Sequence, residues 1–200
     1  MPDASCARPH MIEDARIVLV GGGVRCGKSA FALALAKKLG TRRVFVATAQ
    51  ALDPEMSERI ERHREERGQE FQNVEEPLAL PELLQRTQAD VVVIDCLTLW
   101  ISNMLLAEAS DRHIAGRVAE LASVLGARRF HCVLVTNEVG MGVVPDHALG
   151  RRFRDCAGRA HQLLAARSDE LYFGMLGSML RLRPAPITLQ SSEDFHATHR

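Results

Sequence analysis

Residues 22–29 read GGVRCGKS and fit the pattern G-x-x-x-x-G-K-[ST], with Gly22, Gly27, Lys28 and Ser29 in the defining places. A loop of this kind turns backbone N–H groups inward around phosphate oxygens. Its lysine reaches the terminal phosphates and its hydroxyl takes Mg²⁺. A second group that could do chemistry is Asp95, which ends the run VVVID. In a phosphate-loop fold a carboxylate at that place faces the metal; at the end of any buried strand it can also cap a helix, and both readings stand. A third is His63, inside RIERHREER. At helical spacing Met56, Ile60, His63 and Arg67 share one stripe, so the imidazole follows two apolar anchors inward. It is then either a half-buried histidine bonded to a carboxylate or a nucleophile. The second reading has chemical support: neutral imidazole is abundant near pH 7. The neighbouring Arg62, Arg64 and Arg67 suit attack on phosphorus with pyrophosphate leaving.

The elements around these groups alternate. RIVLV (16–20) reads as a buried strand that runs into the glycine loop, and KSAFALALAKKLG (28–40) as a helix with lysines in its last turn and Gly40 as its C-cap. RVFVAT (43–48) is a second strand. DPEMSERIERHREERG (53–68) is a helix capped by Asp53, with Pro54 in its first turn and Gly68 at its end. EFQNVEE, DVVVIDC, HCVLVT, ELYFGML and LRLRP supply further strands; LALPELLQ, residues 98–107, 112–127 and about 146–167 supply further helices. This alternation predicts a three-layer α/β domain, P-loop nucleoside triphosphate hydrolase-like, with a mainly parallel central sheet. Residues 1–15 form a loose extension, 16–183 one domain and 184–200 a tail without clear periodicity.

Composition narrows the partners. The formal net charge is zero, which argues against a dedicated nucleic-acid binder. No apolar run is long enough for a membrane span and the N-terminus lacks a hydrophobic signal core, so a cytoplasmic protein is expected. The five cysteines (6, 26, 96, 132, 156) have no zinc or redox spacing. With 46% apolar and only 4% aromatic residues the core is expected to be aliphatic. The guanine-reading N-K-x-D of regulatory GTPases is absent, TNEV (136–139) being the nearest string. The loop by itself leaves open a small-molecule kinase and a nucleotide-dependent switch protein.

Several segments together resemble one family, the bifunctional adenosylcobinamide kinase/adenosylcobinamide-phosphate guanylyltransferases of cobalamin synthesis. They are GGGVRCGKS, VATAQALDPEMSERIERHREER, EEPLAL, VIDCLTLWISNML, TNEVGMGVVP and RRFRDCAGRAHQLLAARSDELYF, in order over about residues 16–175. The resemblance implies two reactions. ATP or GTP phosphorylates the hydroxyl of the adenosylcobinamide side arm; GTP then guanylylates a histidine, and adenosylcobinamide phosphate takes the GMP to give adenosylcobinamide-GDP. By the same resemblance His63 is the guanylylated residue and Lys28 acts in the phosphate loop. Gly22, Gly23, Val24, Arg25, Cys26, Gly27 and Ser29 complete the loop, with Mg²⁺ on Ser29 and Asp95. Ala47, Thr48 and Ala49, then Arg64, Glu65, Glu66 and Arg67, and the acidic Glu75 and Asp95 fall on nucleotide-contacting places. A homo-oligomer, a trimer, is also implied. Cys26 stands where the family commonly has serine. Cys96, Trp100, His147 and His161 are read as structural.

Overall fold

The computed structural model describes residues 14–50 and 68–190. Eight strands form one sheet: β1 (Ile17–Gly22), β2 (Arg43–Ala47), β3 (Gln72–Glu75), β4 (Val91–Asp95), β5 (His131–Val135), β6 (Glu170–Met175), β7 (Ser178–Arg183) and β8 (Thr188–Gln190). Their order is β3-β2-β4-β5-β1-β6-β7-β8. The first six in that order run parallel, and β7 and β8 close one edge antiparallel. Among the described residues five helices flank the sheet: α1 (Lys28–Leu39), α2 (Leu80–Arg86), α3 (Leu97–Leu106), α4 (Asp111–Gly126) and α5 (Ala148–Arg167).

The central strands are valine, isoleucine and leucine runs because both their faces are covered. One face packs Ile94, Leu134, Trp100, Leu80, Leu84 and Leu164 under α2–α5. The other packs Val18, Val20, Val93 and Val133 under α1. Four aromatic rings pack on that second face, where Phe31 lies 4.7 Å from Tyr172 and Phe45 stands edge-on to Phe71 at 6.5 Å. The first face carries Trp100 and Phe130 among its aliphatic side chains, so both sides of the core are aliphatic with a few rings. Trp100 is fully buried and its Nε1 donates to the Leu78 carbonyl at 2.9 Å, as a packed tryptophan must.

Gly40 is the C-cap of α1, as expected, with an extended backbone. What requires glycine there is space: a Cβ would sit 2.4 Å from the Cβ of Asp90. Asp90 accepts from the Thr41 and Arg42 N–H groups and from the Arg42 guanidinium, which ties the α1–β2 turn to β4. These bonds, the Arg42 backbone first, hold its carboxyl well below the usual carboxylate range. The stretch after residue 184, read as a tail, contributes β8, whose Leu189 pairs with Leu180 of β7. Of the helix read over 53–68, residues 53–67, His63 among them, lie outside the described residues, and Gly68 opens a short 3₁₀ turn to Glu70.

Candidate functional site

The parallel strands end together, and one row of the register runs Glu75, Ala47, Asp95, Val135, Val20 across β3, β2, β4, β5 and β1. Ligands of such sheets bind beyond this carboxyl edge. Just past Val20, β1 turns into the phosphate loop. Gly22 sits at φ 149°, where a Cβ would meet the Gly174 carbonyl at 2.5 Å and Cys26 Sγ at 2.8 Å. Gly27, at φ 92°, is the N-cap of α1 and brings no capping side chain. The first N–H groups of a twelve-residue helix are thus left to an anion, with the positive end of its dipole. Gly23, Val24 and Arg25 line the exposed tip, while Cys26 is buried against Gly22 and Gly174. The cysteine is small enough for the loop to close over β6.

Lys28 is only 7% exposed, and its Nζ donates to the Gly23 carbonyl at 2.9 Å, so the ammonium lies across the loop rather than in solvent. Helix α1 crosses β4 and β5. That crossing brings Ser29 Oγ to Asp95 Oδ2 at 3.2 Å, between residues 66 apart in sequence. Asp95 thus faces the loop, and the helix beyond it has Cys96 as an N-cap without a side-chain capping bond. A hydroxyl and a carboxylate are hard oxygen donors of the kind Mg²⁺ takes alongside phosphate and water. Among the described residues no cluster of three or more His, Cys, Asp or Glu exists.

Behind Asp95 lies a polar network that periodicity does not show. Thr48 is fully buried; its Oγ1 donates to the Cys96 carbonyl at 2.7 Å and accepts from the Cys96 N–H at 2.8 Å. The Thr48 side chain is therefore occupied in joining β2 to β4, and Ala47 and Ala49 beside it are half-buried. Asn103 Nδ2 donates to the carbonyls of Thr48 at 2.8 Å and Pro77 at 3.0 Å. Asn137 Nδ2 donates to Thr98 Oγ1 at 3.4 Å, and Cys96 Sγ lies 2.8 Å from the same oxygen. Burial and then the Asp95 charge push the Cys96 thiol up, so it stays protonated. Asn103 was visible only as one polar residue in the apolar helix LTLWISNMLL. Its partners, 55 and 26 residues away, were not.

The two remaining histidines of interest are structural. His147 Nδ1 accepts from the Gly150 N–H at the start of α5. His161 Nε2 lies 2.7 Å from Thr136 Oγ1, and burial lowers its pKa against a smaller opposing pull from Glu138. Glu75 is exposed at the end of β3. Two strand spacings, about 10 Å of backbone, separate it from Asp95. His63, Arg64, Glu65, Glu66 and Arg67 fall outside the described residues.

A phosphate loop at the end of β1, an uncapped helix start and a Ser29–Asp95 pair on a mostly parallel sheet define a P-loop nucleoside triphosphate-binding domain. Solved structures with the same fold include the ATPase domain of G40P, with TM-score 0.50 and 12% identity over 87% of this chain and 79% of that one. The RadB recombinase gives TM-score 0.50 and 17% identity over 87% and 86%. The particular family is fixed by sequence: residues 18–182 match the family described as cobinamide kinase / cobinamide phosphate guanyltransferase, and the chain belongs to it. The bifunctional adenosylcobalamin biosynthesis protein CobP of Pseudomonas aeruginosa is 41% identical over 172 residues, covering 84% of this chain and 98% of that protein. The bifunctional adenosylcobalamin biosynthesis protein CobU of Escherichia coli is 35% identical over 181 residues, covering 84% and 99%.

Proposed function

We propose that the protein phosphorylates adenosylcobinamide with ATP or GTP and then transfers GMP from GTP to the phosphate so formed. The observation that carries the reading is the Ser29–Asp95 pair beside a buried Lys28 at an uncapped helix start, in a chain of this family. In the first step the substrate hydroxyl oxygen attacks the γ-phosphorus and loses its proton to solvent. The bond to the β–γ bridging oxygen breaks and the nucleoside diphosphate leaves. Lys28 and the N–H groups of the loop hold the non-bridging oxygens as charge moves toward the leaving group. Mg²⁺, held by Ser29 and Asp95, would supply further neutralisation of that charge.

The second step uses His63. Its neutral ring nitrogen attacks the α-phosphorus of GTP, pyrophosphate leaves, and a phosphorus–nitrogen bond forms. A phosphate oxygen of adenosylcobinamide phosphate then attacks the same phosphorus, and the histidine departs as adenosylcobinamide-GDP forms. Arg64 and Arg67, with Glu65 and Glu66 between them, follow the histidine and contact the nucleotide. Glu75, two strands from Asp95, serves the nucleoside end rather than the metal. Four cysteines among the described residues are buried free thiols, which supports the reading of a cytoplasmic enzyme. The family resemblance adds a homotrimer.

Incubation of the full chain with adenosylcobinamide, Mg²⁺ and either ATP or GTP tests the reading. ATP alone should yield the phosphate. GTP should carry the corrinoid through to the GDP conjugate, with one pyrophosphate per product. A phosphate product with no conjugate would reduce the protein to a small-molecule kinase. No turnover of the corrinoid despite nucleotide binding would overturn the reading in favour of a nucleotide-binding switch.

A further inference from the structure

The segment between β5 and α5 contains VGMGVVP, residues 139–145, with no ionisable side chain. Its apolar groups stand in solvent: Met141 is 81% exposed, Val143 95% and Val144 64%. An uncharged apolar loop left to itself packs inward, because exposure of such groups to water is unfavourable. Here the backbone is held out by its carbonyls. Arg154 donates to the carbonyls of Val143 at 3.1 Å and Gly140 at 2.7 Å, and Arg151 to those of Pro145 at 3.1 Å and Asp146 at 2.6 Å. The loop is rooted beside the phosphate loop, since the Glu138 N–H donates to the Gly22 carbonyl at 2.9 Å. Val24, 73% exposed at the tip of the phosphate loop, is a further apolar side chain in solvent at this end of the sheet.

We infer that this arginine-stapled loop is the docking platform for the corrin macrocycle of the acceptor. The inference rests on the function proposed above and adds the acceptor subsite to it. Three properties select the occupant. The loop adjoins the phosphate loop, and the acceptor oxygen must arrive there to meet the γ-phosphate. It carries no charge, which suits neither a nucleic acid nor an acidic peptide, both of which are read through cations. It offers methyl and thioether groups on a surface fixed in shape before binding, which limits the ordering cost on binding. A corrin ring has methyl-studded faces and a fringe of neutral amides, and so matches an uncharged apolar surface. One platform would then hold the same macrocycle through both steps, while the phosphorylated arm exchanges one donor for the other.

The test uses the full chain carrying Met141→Ser and Val143→Ser together, positions so exposed that folding does not depend on them. The affinity for adenosylcobinamide is read by equilibrium dialysis, and KM for the corrinoid is read in both steps. KM for GTP, label retained from α-labelled GTP without acceptor, and mass by light scattering complete the set. Corrinoid affinity should fall, and corrinoid KM rise, by about tenfold in both steps. GTP KM, GMP retention and mass should stay at wild-type values. Unchanged corrinoid affinity would overturn the platform. So would a loss of assembly with corrinoid affinity per folded chain preserved, which would make the loop a contact between copies. Dialysis reads the platform even where no corrinoid is turned over, so failure of the catalytic reading and failure of the platform are separate results.

Discussion

Two loops leave the same edge of the sheet from adjacent strands, and both are built from glycine and small apolar residues. The one after β1 wraps its backbone around a lysine that is 7% exposed and leaves the N–H groups of α1 uncapped. The one after β5 has four carbonyls taken by Arg151 and Arg154 and presents Met141 and Val143 to solvent. Similar composition thus gives opposite surfaces. The difference lies in which backbone groups are left for a ligand. Free N–H groups beside a cation suit a triphosphate, whereas a loop whose carbonyls are satisfied has only its side chains to offer.

The comparison can be broken most severely at Lys28. Lys28→Ala should lower the kinase rate by about a hundredfold or more and impair guanylyl transfer, since one phosphate loop serves both donors. Near-normal rates in both assays would remove the loop from the site. The next effect is conformational. Gly22→Ala puts a Cβ 2.5 Å from the Gly174 carbonyl at a φ of 149° and should cost about 1–3 kcal/mol of stability and weaken nucleotide binding. Gly142→Ala in the other loop meets nothing within 4 Å and should stay within about 0.5 kcal/mol of wild type. Equal urea midpoints for the two variants would show that the phosphate loop is not built as closely as described.

Arg154→Ala should cost about 1 kcal/mol by removing two carbonyl bonds of the β5–α5 loop. It should leave GTP KM unchanged; a rise in GTP KM would mean the arginine serves the nucleotide. The smallest effect concerns the root of that loop, where half-buried His161 meets Thr136. Its pKa is lowered from the ordinary 6.5, so the unfolded chain binds the proton first. Stability should be full above pH 6.5, fall as pH drops below it and level off beneath the depressed folded value. Urea midpoints between pH 5 and 7 should show this decline in wild type and a shallower one in His161→Gln. Parallel profiles would mean that the ring is not held neutral.

The phosphate loop, its flanking strand and helix and the carboxylate ending VVVID were legible because each is a local pattern with one physical purpose. The late strand β8 was not, because three residues are too few to show a period. Gly40 was legible as the C-cap of α1, but not the approach of Asp90, 50 residues away, that leaves no room for a Cβ there. Thr48 was placed correctly at the strand end, yet its hydroxyl bonds to the backbone of Cys96, a pairing across 48 residues. Hydrophobic period reports which side chains are buried. It does not report which distant carbonyl a buried amide such as Asn103 will find, nor that arginines of α5 will hold an apolar loop in water.

The most direct measurement of the central claim is the fate of α-labelled GTP. Wild-type protein with Mg²⁺ and no acceptor should release pyrophosphate and keep the label on the peptide containing His63. The bond should be acid-labile and alkali-stable, as expected of phosphorus bound to nitrogen. His63→Ala should keep no label, yet still phosphorylate adenosylcobinamide at a substantial rate. Formation of adenosylcobinamide-GDP by His63→Ala at the wild-type rate would contradict the account, and His63 would then have no part in the transfer.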